Sequence, residues 1–401
     1  MTPCPSVAPP VTAQAPAAGA RVTGVDLARG LALFGMMAKH IFDDTTDTGP
    51  TATGLIASGR SAATFALVAG ISVAFLSGGP RILHGRPRRA AAAALAVRAV
   101  AIGTIGLLLG YAGSGIELIL ASYAVCFLCS IPLIGLRPKV LAALAVAFAA
   151  VGPVLLLGAA RLHLPTSGTA EPTFTTLLND PVGLLFQLFL TGDYPVVVYM
   201  AYLCTGLAIG RLDLTSRRLA LWLLGGGIAM TVTATAVSDL LLYPLGGLAR
   251  LVDLTGEDAV TLLWDPEQQS SWWYLALASP HGHTQLDLVH STGSAMAVLG
   301  ASLLVTRIAA VDRVLRPVRA AGTMTLTLYS AHILVLAAGL LEDDELLQYL
   351  VLVVCSMVFA TLWRHWRPQG PLEALVSRAA GRARRAVLDS PAPRVGAVGR
   401  E

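Results

Sequence analysis

Residues 25–40, VDLARGLALFGMMAKH, set a hydrocarbon centre between two ionisable ends. Asp26 and Arg29 stand near the start, and Lys39 and His40 stand at the finish. Extended by its flanks to about 23–42, the stretch fits the roughly 20 helical residues that cross a hydrocarbon core. A charge at mid-depth costs a few kcal/mol, so ionisable groups inside spans mark functional positions unless they are simply helix ends.

Working outward, nine further apolar runs lie at about 56–78, 94–113, 116–136, 140–161, 193–213, 219–244, 285–308, 320–341 and 345–366. They predict an all-α polytopic membrane helix bundle of about ten transmembrane helices. Composition points the same way. Of 401 residues, 55% are hydrophobic and only 13% charged, and the mean hydropathy is +0.68. A soluble domain of this size needs far more surface charge. The net charge of +4 is divided among loops and gives no basis for a nucleic-acid partner.

Residues 1–20 are Pro/Ala-rich and uncharged, which predicts a disordered tail and not a signal peptide. The bundle occupies 21–366, and 367–401 form a basic tail. Within that tail, 371–388 show helical apolar spacing and several arginines, the pattern of an amphipathic helix on an anionic leaflet or of a solvated tail. Cys126, Cys129, Cys204 and Cys355 fall in spans and Cys4 in the tail, so no disulfide framework is implied. Cys126-x-x-Cys129 on an apolar helix reads as packing.

The loops alternate in sign. Arg81, Arg86, Arg88 and Arg89 follow the second span, Arg137 and Lys139 the fourth, Arg211, Arg217 and Arg218 the sixth, and Arg307, Arg313, Arg316 and Arg319 the eighth. The intervening loops carry Asp43, Asp44 and Asp47, then Glu171 and Asp180, then Asp253, Glu257, Asp258, Asp265 and Glu267, then Glu342 to Glu345. The positive-inside rule then puts both termini in the cytoplasm.

With that orientation, Lys39, His40, Arg60, Glu117, Asp193, Asp239, Asp287 and His290 gather near the outer mouth, beside His281 and His283 in "SPHGHT". Asp26, Arg29 and Arg98 lie near the inner mouth, and His332 about midway along the ninth span. Lys39 and Asp193 suit snorkelling helix ends. His40, Asp287 and His290 are too short for that and point to a polar cavity open to the outside. Eleven residues separate Arg29 from His40, which returns them to nearly one helix face roughly 16 Å apart. One helix thus offers a cation at one mouth and an imidazole at the other, although a helix-start pair and a helix cap would look the same. Trp264, Trp272, Trp273 and Tyr274 read as interfacial anchors before sugar-stacking groups. Walker, HExxH, GxSxG and dinucleotide motifs are missing, and His281-x-His283 lacks a third ligand at a diagnostic spacing, so no metal is expected.

"RVTGVDLARGLALFGMMAKH" followed by "GRSAATFALVAGISVAF" resembles the opening of the heparan-α-glucosaminide N-acetyltransferase-like membrane proteins of actinobacteria. "GDYPVVVYMAYLCTGLAIGRLDL" (192–214), "SPHGHTQLDLVHSTGSAMAVLG" (279–300), "AAGTMTLTLYSAHILVL" (320–336) and "GPLEAL" (370–375) resemble related bacterial membrane proteins of unknown function. The likeness covers most of 21–376. It implies transfer of an acetyl group from cytoplasmic acetyl-CoA, a co-substrate and not a resident cofactor, to an acceptor across the membrane. In such enzymes a polar residue ending the first span belongs to the active site, and His40 holds the matching place.

The resulting expectation is a multi-pass plasma-membrane acyltransferase. Arg29 and Arg98, with Asp26, would receive the phosphates of acyl-CoA. His40 would act as general base or transient acyl carrier, with Asp287 or His290 orienting it or the acceptor. Arg60, His281, His283 and His332 would line the substrate cavity. The acceptor would be a glycan, glycolipid or small exported metabolite. Membrane lipids are expected partners, and a homodimer is one possible assembly. The rival is a transporter or flippase using buried carboxylates such as Asp239 and Asp287 as proton relays, against which the sequence shows no paired broken helices.

Overall fold

The computed structural model describes residues 22–46, 49–169, 171–264, 266–267 and 270–390. The expected N-terminal tail with Cys4, the acidic-loop residues Asp47 and Asp265, and the last eleven residues of the basic tail lie outside the described residues.

The regular structure of the described residues is almost entirely helical. In order the helices are α1 (Thr23–Lys39), α2 (Ala52–Ile56), α3 (Arg60–Leu76), α4 (Gly85–Leu109), α5 (Ile119–Ser130) and α6 (Pro138–Arg161). Then come α7 (Phe174–Asn179), α8 (Pro181–Phe186), α9 (Val196–Ile209), α10 (Arg217–Leu242), α11 (Gly247–Thr255) and α12 (Ala259–Trp264). The last are α13 (Gln285–Val305), α14 (Ala309–Val314), α15 (Arg316–Gly322), α16 (Thr325–Ala337), α17 (Glu345–Trp366) and α18 (Pro371–Asp389). A short antiparallel pairing of Thr45 with Pro50 closes the loop after α1.

Local sequence explains the helix ends. Ser216, Thr284 and Asp344 cap α10, α13 and α17 by accepting from the backbone N–H three residues on. Asp26 in the first turn of α1 and Lys39 in its last match the helix dipole. α4 starts nine residues before the expected span, taking in Arg86, Arg88 and Arg89, because an alanine run follows them with no breaker between.

Six helices among the described residues are long and apolar enough to cross a membrane, and up to eight if each of two bent pairs is one span. Those pairs are 181–191 with α9, bent by 53°, and α15 with α16, bent by 87°. The chain is thus a helical, multi-pass membrane protein. The broken helices overturn one expectation: 181–191 lies before the expected sixth span, set off by Gly192, Asp193 and Pro195, whereas the run at 320–341 reads as continuous. The α15–α16 break falls at Thr323 and Met324, and hydropathy does not register a change of direction.

The main core runs through α1, α3, α4, α5, α6, α9 and α16, with Leu33, Met37, Leu203 and Ile333 fully buried. Small residues allow the closest crossings. A Cβ at Gly206 of α9 would collide with the Leu67 carbonyl of α3, and one at Gly322 of α15 with the Asp26 carbonyl of α1. The second crossing fixes α1 against the broken pair.

Candidate functional site

α1, α3, α4, α5, α16 and the start of α18 enclose a cavity of about 190 Å³. Arg29 and Arg98 both face it, as expected, together with Ser72, Thr323, Thr325, Gln369, Glu373 and Ser377 on its polar side. Phe65, Tyr123, Phe127 and Tyr329 form its aromatic wall. Arg29 is held in place: it donates to Ser72 Oγ at 2.8 Å, to the Gly322 carbonyl at 3.2 Å and to Asp26 at 3.4 Å. Asp26 therefore braces Arg29. Arg98 makes no hydrogen bond among the described residues and lies within electrostatic reach of Arg29 and Glu373. Asp26 pairs with Arg29 and Glu373 lies near Arg98, so the two guanidinium groups are matched by two carboxylates.

Glu373 was not foreseen. Its carboxylate accepts from the Leu326 N–H at 2.7 Å, the Thr327 N–H at 3.1 Å and the Thr327 hydroxyl at 2.6 Å. It caps the exposed start of α16 and so stabilises the break that shapes the cavity. The signal was present as "GPLEAL" and "TLTLYSAHILVL", two motifs 46 residues apart that meet here. The basic tail takes the helical alternative. α18 packs along α4, burying Val376 and Ala380, and Arg86 Nε donates to the Val387 carbonyl at 2.9 Å.

At the other end of α1, His40 meets His332. Their rings stack at 5.2 Å between centroids, with His40 Nδ1 2.9 Å from His332 Nε2. The sequence pointed to Asp287 or His290 as the partner of His40, but His332 holds that position. Its Nδ1 lies beside the Leu328 and Tyr329 carbonyls without a hydrogen bond of full geometry. Which nitrogen donates depends on the tautomer; with the proton of His332 on Nδ1, toward those carbonyls, its Nε2 accepts from His40 Nδ1–H. His40 Nε2 then keeps an open lone pair on a half-buried ring.

Tyr329 joins the two ends. It lines the arginine cavity and lies edge-on to His332 at 5.0 Å and to His40 at 6.4 Å. Its side chain is 2% exposed, and its hydroxyl faces the Ile119 amide with no hydrogen bond of full geometry. One aromatic ring is thus the partition between the arginine cavity and the histidine pair.

The remaining candidates surround this centre. Asp287 is buried and accepts from the His283 N–H at 3.0 Å and from Ser291 Oγ at 2.8 Å, which ties it to its own helix start. His281 Nε2 accepts from the Gly59 N–H at 3.0 Å, and His283 Nε2 donates to the Asp193 carbonyl at 2.9 Å. Both histidines adopt left-handed backbone conformations, φ 56° and 51°, which non-glycine residues rarely occupy unless neighbours hold them there. Each ring keeps some solvent contact, but packed protein dominates its surroundings. Burial pushes His281 down to about 4 and His283 to about 3, so both are neutral at ordinary pH. Arg60 donates to the Gly54 and Ser58 carbonyls, and with His290 it lines a separate, mostly apolar groove between α1, α3, α10 and α13. Lys39 does not snorkel: it pairs with buried Asp44 at 2.6 Å. Asp239 is exposed on α10. Among the described residues no group of three or more His, Cys, Asp or Glu is arranged to hold a metal.

The arginine cavity and the histidine pair thus both border Tyr329 within one helical membrane bundle. The chain belongs to the heparan-alpha-glucosaminide N-acetyltransferase family, whose catalytic-domain model matches residues 21–245, more than half of its length. That membership suggests membrane acetyltransferase activity. No curated protein matches the chain.

Proposed function

We propose that the protein is a plasma-membrane acyltransferase that takes an acetyl or acyl group from cytoplasmic acyl-CoA. It passes the group to a hydroxyl or amine of an extracytoplasmic glycan, glycolipid or metabolite. The observation that carries this reading is Tyr329, which touches the arginine cavity and both histidines. The donor enters from the arginine side with its thioester against Tyr329, while the acceptor approaches His40 from the other side. His40 Nε2 takes the acceptor proton as its oxygen or nitrogen attacks the thioester carbonyl. The C–S bond breaks, and the leaving thiolate recovers that proton from the imidazolium. His332 positions His40, and the Tyr329 hydroxyl donates to the developing oxyanion.

Ten spans with both termini cytoplasmic complete the proposal. The two bent pairs and six long helices give eight. α1 and the apolar Ile119–Gly135 segment, each 17 residues, are the other two. The alternating loop charges motivate a direct check. In a cysteine-free background, single cysteines at positions 46, 260 and 343 are expected to label with an impermeant thiol reagent in whole cells, whereas positions 86 and 216 label only after lysis. Labelling of position 86 in intact cells would reverse the orientation.

Donor binding is tested at Arg98. Arg98→Ala is expected to weaken CoA binding by about 1.5–3 kcal/mol, the range for a charge-assisted hydrogen bond. Arg29→Ala should lose at least as much, because it also frees Ser72 and the Gly322 carbonyl. Arg137, exposed on a loop, serves as control. Equal losses at all three, measured by isothermal titration in detergent, would indicate diffuse attraction and remove the pocket.

The transporter reading gains the two broken helices. It loses its relay carboxylates, since Asp239 is exposed and Asp287 is engaged within its own helix turn. Hydrolysis of acetyl-CoA by the purified protein, which a transporter has no means to perform, separates the two.

A further inference from the structure

The arginine cavity is too small for its proposed ligand. About 190 Å³ lies below the roughly 300–1,000 Å³ of sites that enclose drug-sized molecules. Coenzyme A is larger than most of these, with a slender pantetheine arm and a bulky adenosine end that carries three phosphates. A cavity of that size holds the arm and the thioester, with the diphosphate that joins them to the nucleotide near Arg29 and Arg98, and leaves the 3′-phosphorylated adenosine outside.

A second cavity of about 390 Å³ adjoins it, lined by Gln369, Ser377, Arg378, Gly381, Arg382 and Arg385. Gln369 and Ser377 line both cavities. The three arginines recur at i, i+4 and i+7 of α18 and so share one helix face. The opposite face, with Val376 and Ala380, packs on α4. Arg378, Arg382 and Arg385 are exposed, and none makes a hydrogen bond or ion pair among the described residues. Three uncommitted guanidinium groups around a concave surface match phosphate oxygens in charge and in hydrogen-bonding geometry.

We infer that Arg378, Arg382 and Arg385 of α18 bind the phosphorylated adenosine end of the acyl-CoA donor, while Arg29 and Arg98 face its diphosphate and pantetheine arm. This inference rests on the acyl-CoA reading of the site and deepens it. It makes α18 part of the donor site, outside the 21–245 region that defines the family match. It also names the donor class: a nucleotide-bearing thioester, and not a free phosphopantetheine thioester. The competing role for the same arginines is attachment to anionic lipid.

The test uses full-length protein in detergent and the triple variant Arg378→Ala/Arg382→Ala/Arg385→Ala, with Arg384→Ala as control because Arg384 does not line the cavity. Binding of CoA and of pantetheine is measured side by side, with vesicles of phosphatidylglycerol and phosphatidylcholine as the lipid probe. The wild type is expected to prefer CoA over pantetheine. The triple variant should lose about tenfold or more in CoA affinity, the effect of lost charge-assisted contacts, with pantetheine binding unchanged. Unchanged CoA affinity with lost vesicle binding would overturn the inference and assign α18 to the leaflet. Equal loss for CoA and pantetheine would also overturn it, since damage would then lie in the arm cavity. A wild type that binds neither CoA nor pantetheine sinks the acyl-CoA reading itself, an outcome distinct from both.

Discussion

His40→Gln is expected to lower acetyl transfer by about 10²–10⁴-fold, the usual effect of removing a general base. The substitution keeps polarity, and its amide still donates toward His332 Nε2, the contact His40 Nδ1 makes at 2.9 Å. What it lacks is a basic nitrogen at the Nε2 position. His40 follows the last residue of α1, and glutamine forfeits only its ring contacts with His332 and Tyr329, so membrane insertion and CoA binding should stay near wild type. A role for His40 as a helix cap alone predicts near-normal activity in the same variant. Activity assayed with saturating acetyl-CoA decides between them, and an active His40→Gln enzyme would falsify the base assignment.

Tyr329→Phe is expected to lower kcat by about 10²–10³-fold, the effect of removing one oxyanion donor. Phenylalanine preserves the ring that lies edge-on to both histidines and walls the arginine cavity. Because the hydroxyl makes no hydrogen bond of full geometry in the resting protein, its removal leaves no stranded partner and should not reduce thermal stability. CoA affinity should hold, since the interaction is made only as the thioester carbonyl becomes an oxyanion. A fall in CoA affinity with unchanged kcat would instead assign Tyr329 to ground-state binding. Comparable loss of stability and activity would make it a core residue.

Much of this centre was legible in one helix. The eleven-residue interval in α1 puts Arg29 and His40 on one face, and the structure carries that face from the arginine cavity to the histidine pair. The meeting of Arg29 with Arg98 was also expected from their common depth. The partner of His40 was not legible, because it lies 292 residues away. Depth assigns a residue to a layer of the membrane but says nothing of which helices are neighbours. Asp287 shows the converse. The loop charges set it at the same expected depth as His40, yet its short side chain bonds to Ser291 and the His283 N–H within its own helix start. That local competition for hydrogen bonds is what aspartate near a helix N-terminus favours. The α15–α16 break escaped for a related reason. Glu373, supplied from α18, satisfies the N–H groups the break exposes, so the apolar run needs no local breaker.

We propose that donor and acceptor sites face opposite sides of one membrane, divided by Tyr329. Proteoliposomes with the protein in a known, uniform orientation test it most directly, with radiolabelled acetyl-CoA supplied to one side at a time. Acetyl-CoA is expected to be consumed only from the side that bears α18 and the arginine cavity, with the acetyl group appearing on acceptor at the other side. Consumption from the His40 side, or acceptor crossing the membrane without any acetyl transfer, would contradict it.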